Sequence, residues 1–156
     1  KDPNYFGACL RESWAMFSDG IRSGSLAGTF CSGQPDDAQT ENCYQSISSI
    51  VGRMSLDDTS KATAACSKFP SEWRGMCYDY SAEAVLEENR SDASKAIEVC
   101  NQAGGEYTNQ CLSYLLSHVD FLFGNNTSAY KAFCAALPSA LQAQCNQSYT
   151  HRPSVR

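Results

Sequence analysis

The spacing of the cysteines constrains this chain more than any other feature. CSKFPSEWRGMC (Cys66 to Cys77), CNQAGGEYTNQC (Cys100 to Cys111) and CAALPSALQAQC (Cys134 to Cys145) repeat one frame, each 34 residues after the last. CSGQPDDAQTENC, Cys31 to Cys43, is an earlier copy with one extra residue. A fixed period carrying two cysteines per unit marks a disulfide-stapled repeat protein, in which units pack on their neighbours and no single globular core is required. For the 156 residues we therefore expect one continuous array rather than two domains.

The rest of each unit repeats as well. Eight residues before the first cysteine stand Ser23, Asp58, Asp92 and Asn126, all of them residue types that cap helix N-termini. They predict short B helices near 24–33, 59–69, 93–103 and 127–137. Each ends at a breaker: Pro35, Pro70, Gly104 with Gly105, or Pro138. Longer A helices, predicted near 4–20, 37–54, 71–88, 105–123 and 139–149, carry the second cysteine, and their apolar residues recur at three and four. NYFGAC aligns with SEWRGMC, placing Tyr5 on Trp73 and Cys9 on Cys77, so the chain opens at a unit boundary. The expected units lie near 1–35, 36–69, 70–103 and 104–137, with a partial unit at 138–150 and a polar tail at 151–156.

In period, hairpin organisation and the proline or glycine between units, the chain resembles the tetratricopeptide and Sel1-like superfamily of helical repeats, in a cysteine-rich form. The W-x2-L-G-x2-Y pattern of tetratricopeptides is not found in register. The resemblance implies an all-α fold, a right-handed α-solenoid of about four helical hairpins and a closing helix. It implies a module that binds proteins or peptides along the face lined by A helices, and no chemistry.

Nine regularly placed cysteines suit an oxidising compartment, which makes the expected location secreted, periplasmic or cell-surface. Sequons at Asn89, Asn125, Asn126 and Asn146 are candidate glycosylation sites and point the same way. The start at KDP suggests a mature or excised fragment of a longer protein. A net charge of −5 without a basic run argues against a nucleic-acid partner. The most apolar stretch, Leu112 to Gly124, is interrupted by Ser117, His118 and Asp120, so no membrane insertion is expected.

Sharper chemical readings lose to plainer ones. Structural zinc needs four clustered ligands, and His118 and His151 stand outside the cysteine frame, so neither metal nor cofactor is expected. A catalytic thiol would need a base beside it, and the chain is not expected to be an enzyme. His118 lies on an apolar stripe and reads as a packed histidine. Glu83, Glu87, Glu88 and Asp92 bunch without calcium-loop spacing and read as a solvated acidic face, with Asp92 a helix cap. Gly104-Gly105 reads as a turn.

Pairing can run across the turn between units (Cys66 to Cys77) or within a hairpin (Cys43 to Cys66). With a rise of ~1.5 Å per residue, the first pair differs in height by ~3 Å and the second by ~6 Å. A disulfide tolerates a Cα separation of at most ~7 Å, lateral gap included. The expected bonds are therefore Cys31–Cys43, Cys66–Cys77, Cys100–Cys111 and Cys134–Cys145, leaving Cys9 unpaired within the chain.

Counting from the second cysteine, A-helix positions 0, 4, 7 and 11 and positions 1, 5 and 8 are mainly apolar, as stacking on two sides demands. Positions 3, 6 and 10 remain. From these the candidate contact surface is Tyr80, Tyr114 and Phe121, with Arg53, Glu83 and Glu87 at its rim. The competing reading has the rings packing under a neighbouring helix. The expected function is a non-catalytic protein- or peptide-binding domain of a secreted or cell-surface protein. The alternative is a small-ligand carrier or an accessory domain of a larger extracellular enzyme.

Overall fold

A computed structural model describes residues 17–124 and 126–150, and these contain helices and turns but no strand. In chain order they are α1 (17–22), α2 (Ala27–Cys31), α3 (Asp37–Arg53), α4 (Thr59–Cys66), α5 (Ser71–Glu88), α6 (Ser94–Ala103), α7 (Gly105–Phe123), α8 (Thr127–Ala136) and α9 (Ser139–Thr150). The A helix expected at 4–20, Cys9, Asn125 and the tail at 151–156 lie wholly or largely outside the described residues.

Caps and breakers set most boundaries. Asp36, Asp58 and Asn126 accept backbone N–H bonds from Gln39, Ser60 and Ala129, each satisfying a donor that has no partner inside its helix. Asp92 does the same for Ser94 N–H at 2.9 Å. Ser23 does not cap. Its hydroxyl bonds Gly20 O at 3.3 Å and Ser25 Oγ at 2.9 Å, while α2 starts at Ala27. The cause is Gly24, at φ +72°, where an added Cβ would lie 2.1 Å from Ala65 O. The chain crosses α4 there in a conformation that only glycine adopts comfortably, so the helix cannot begin until the crossing is past.

The short helices also end sooner than 33 and 69. After α4 the backbone closes through Lys68 N–H to Ala65 O and Phe69 N–H to Cys66 O, a tighter winding than the α-helix. Pro70 disfavours helical geometry at the residue before it, and Phe69 turns inward instead, 1% exposed and 5.8 Å from the Tyr44 ring.

Long helices pack on long ones, α3 on α5 and α5 on α7, and short helices on short ones, α4 on α6 and α6 on α8. The core between these rows includes Ile47, Val51, Leu86, Val99, Leu112, Leu115 and Leu122. Burying each such side chain contributes about 1.5–3 kcal/mol. Four disulfides join Cys31 to Cys43, Cys66 to Cys77, Cys100 to Cys111 and Cys134 to Cys145, with Cα separations of 5.6, 5.4, 5.3 and 5.5 Å. Each spans the turn from a short helix into the next long one, and all eight sulfurs belong to buried residues.

Small residues bring α3 and α5 close. Ser81 Oγ donates to Ser48 O at 2.9 Å, and Ser48 in turn bonds Tyr44 O at 2.6 Å, so both buried hydroxyls are satisfied. A Cβ on Gly52 would fall 2.4 Å from the Ser81 carbonyl oxygen. Backbone cannot yield as a side-chain tip can, so Gly52→Ala must part the two helices. We expect a loss of about 1–3 kcal/mol, read as a lower denaturant midpoint at constant slope.

Candidate functional site

Positions 3, 6 and 10 of the long helices are their least buried column. Ser46 and Arg53 on α3 and Ser117 and Phe121 on α7 are exposed, while Tyr80, Glu83 and Glu87 on α5 and Tyr114 on α7 are half-buried. Phe121, 70% exposed, stands out among the large hydrophobic side chains.

These residues touch from helix to helix. Arg53 Nη2 donates to Glu87 at 3.0 Å and its Nε lies 3.6 Å from Glu88, linking α3 to α5. Tyr80 and Tyr114 tilt against each other at 5.4 Å between centroids, and the Tyr114 hydroxyl donates to Glu83 at 2.7 Å, linking α5 to α7. Burial, and then the bond to Glu83, raise the Tyr114 phenol well above its usual pKa, so it remains a donor. Arg90 sits over the Phe121 ring at 5.8 Å. The aromatic rings thus take part of their area from a neighbouring helix and leave the rest open.

His118, read from the sequence as a packed histidine, is half-buried and packs on Tyr114: its Nδ1 bonds Tyr114 O and Ser117 Oγ at 3.0 Å and its ring lies 4.3 Å from the Tyr114 ring. It lies beside the open column because Tyr114, one turn before it, projects a similar way. The expectation of a solvated acidic face needs correction, since Glu83 holds Tyr114 and Glu87 and Glu88 hold Arg53, while Asp92 takes the capping role expected of it at the start of α6. Among the described sequons, Asn89, Asn126 and Asn146 are exposed.

A feature not anticipated from the sequence lies beside this face. Ser71, Glu72, Gly75, Met76, Asp79 and Tyr80 of α5 and Glu106, Tyr107, Gln110 and Tyr114 of α7 line a groove of about 490 Å³. Asp79 forms its floor, 7% exposed, and Gln110 Nε2 donates to Asp79 Oδ2 at 2.8 Å. Gly75 makes that bond possible, because a Cβ there would lie 2.6 Å from Gln110 Nε2. Burial pushes the Asp79 carboxyl up to about 6, with the Gln110 bond and the nearby His118 drawing it partly back.

Among the described residues no three His, Cys, Asp or Glu side chains converge as metal ligands, and no helix is long and apolar enough to cross a membrane. Fold and cystines together define an all-helical, disulfide-bonded chain of the kind made in an oxidising compartment. No family model, curated protein or solved structure matches it.

Proposed function

We propose that the chain is a non-catalytic helical repeat domain of a secreted or cell-surface protein, built as an α-solenoid of four hairpin units and a closing helix, that binds a protein or peptide along its long helices. One observation carries the reading: Arg53, Glu87, Glu83, Tyr80, Tyr114 and Phe121 form a continuous surface across α3, α5 and α7, with side-chain contacts bridging α3 to α5 and α5 to α7. An extended ligand crossing stacked helices meets different side chains on each one, and specificity arises from that variation. The packing of long helix on long and short on short supports the solenoid reading.

The test is selection of displayed peptides on the folded, oxidised chain, followed by affinity measurement on variants. Phe121→Ser removes an open ring that supports no core, so melting should be unchanged while affinity for selected peptides falls about tenfold or more. Peptides that bind Phe121→Ser and Arg53→Ala as tightly as the parent would place recognition elsewhere and sink this surface.

A further inference from the structure

Among the described residues, two buried side-chain atoms lack a hydrogen-bond partner, Arg74 Nε and Asp79 Oδ1. Arg74 is anchored through Nη2 to Phe69 O at 3.2 Å and lies outside the groove. Asp79 differs: a carboxylate on a groove floor, with Oδ2 held by Gln110 and Oδ1 unmatched. A buried anion in that state is costly, and a donor that carries positive charge relieves the cost most fully.

No basic side chain of the neighbouring helices supplies that donor: His118 of α7 acts on Asp79 through its charge alone, its Nδ1 being engaged with Tyr114 O and Ser117 Oγ. The one cation of α3, Arg53, is taken by Glu87 and Glu88; that of α4, Lys61, by Asp57; and that of α6, Lys95, by Leu56 O. From α7 the titratable groups on this side are Glu106, Tyr107, Tyr114 and His118, and from α5 they are Glu72 and Tyr80. Every formally charged lining residue is acidic, and three tyrosines stand among the uncharged ones, with Met76, Ser71, Gly75 and Gln110. Tyrosine faces attract cations, and acidic groups beside them add to that attraction.

We propose that the groove between α5 and α7 receives the guanidinium or ammonium group of an arginine or lysine side chain on the bound peptide, with Asp79 as its counter-ion and Tyr80, Tyr107 and Tyr114 as its walls. The proposal rests on the peptide-binding reading above, whose face shares Tyr80 and Tyr114 with the groove. A single deep carboxylate among rings suits an organic cation, whereas calcium or magnesium requires about six or more oxygen ligands. The volume suits one long side chain with its flanking backbone. Gly75 and Gln110 are positioning residues, the first leaving the space in which the second orients the carboxylate.

The experiment is calorimetric titration of the full oxidised chain with N-acetyl-arginine amide, N-acetyl-lysine amide and the neutral N-acetyl-norleucine amide. We expect saturable binding of at least one cationic probe and none of norleucine amide. Affinity should fall about tenfold from about pH 7 to about pH 5, where Asp79 takes up a proton, and by at least as much in Asp79→Asn. Phe121→Ser should bind the small probes as the parent does. Glu106→Gln, on the rim, should weaken binding less and serves as a second variant should Asp79→Asn fold poorly. Equal binding of norleucine amide, no saturation with either cation, or a flat pH profile overturns the proposal. Tighter binding of a free diamine than of any arginine- or lysine-containing peptide overturns the assignment to a peptide side chain. Selected peptides that lose affinity in Phe121→Ser but not in Asp79→Asn would sink the cation site and leave the wider surface standing.

Discussion

Reduced under denaturant and returned to buffer with reductant present, the chain is expected to lose its helical circular dichroism and its amide chemical-shift dispersion. Each cystine closes a loop of 11 or 12 residues, which restricts the unfolded chain by about 3 kcal/mol. Four such constraints are together comparable with the ~5–15 kcal/mol that holds a whole domain folded. They also sit where the fold has least else to rely on. The short helices have five to ten residues, too few to persist alone in water, and each cystine ties one of them to the start of a long helix. Removing one bond, with Cys66→Ala and Cys77→Ala together, should cost about 2–4 kcal/mol and leave a folded protein. A fully reduced chain that melts at the same midpoint as the oxidised one would show that helix packing alone suffices.

The second large effect is a stability that falls as pH rises. The Asp79 carboxyl stands at about 6 in the folded chain against 3.8 ordinarily. Below the lower value both states hold the proton and the contribution is complete. Between the two values the folded chain keeps a proton that the unfolded chain has released, so unfolding becomes easier as pH rises. Above the higher value about 3 kcal/mol has been lost. Asp57 and Asp92 act in the opposite sense and at lower pH, their carboxyls held down chiefly by the bonds to Lys61 and to the Ser94 N–H. Denaturant melts at a series of pH values should therefore show a decline through pH 4 to 6 in the parent, and Asp79→Asn should flatten it while raising stability at neutral pH. Equal slopes in parent and variant would mean that the carboxyl titrates normally in the folded chain.

How much of this was legible beforehand depended on how local the cause was. Period, caps and breakers act within a turn or two of helix, so the long helices from Asp37 onward lie within about a residue of their expected bounds. The short helices α2 and α4 depart from their expected bounds where a distant residue intervenes. Gly24 must pass the Ala65 carbonyl, and Phe69, already set off by Pro70, turns under Tyr44, and both contacts are with residues far off in the sequence.

The groove lay further out of reach. Two residues after the second cysteine the units carry Arg11, Gln45, Asp79, Ser113 and Gln147, a varied polar set in which nothing sets Asp79 apart. Gln45 is half-buried and Ser113 and Gln147 are exposed, yet Asp79 is buried. The difference is what α7 lays over it: Gln110, 31 residues away, reaches Asp79 because Gly75 offers no side chain in its path. By itself the sequence determined an all-helical chain with a cysteine frame repeated every 34 residues, because helical periodicity and capping are properties of neighbouring residues. Only the tertiary structure decided which polar residue would lose its water, because desolvation depends on the neighbours that packing brings in from elsewhere in the chain.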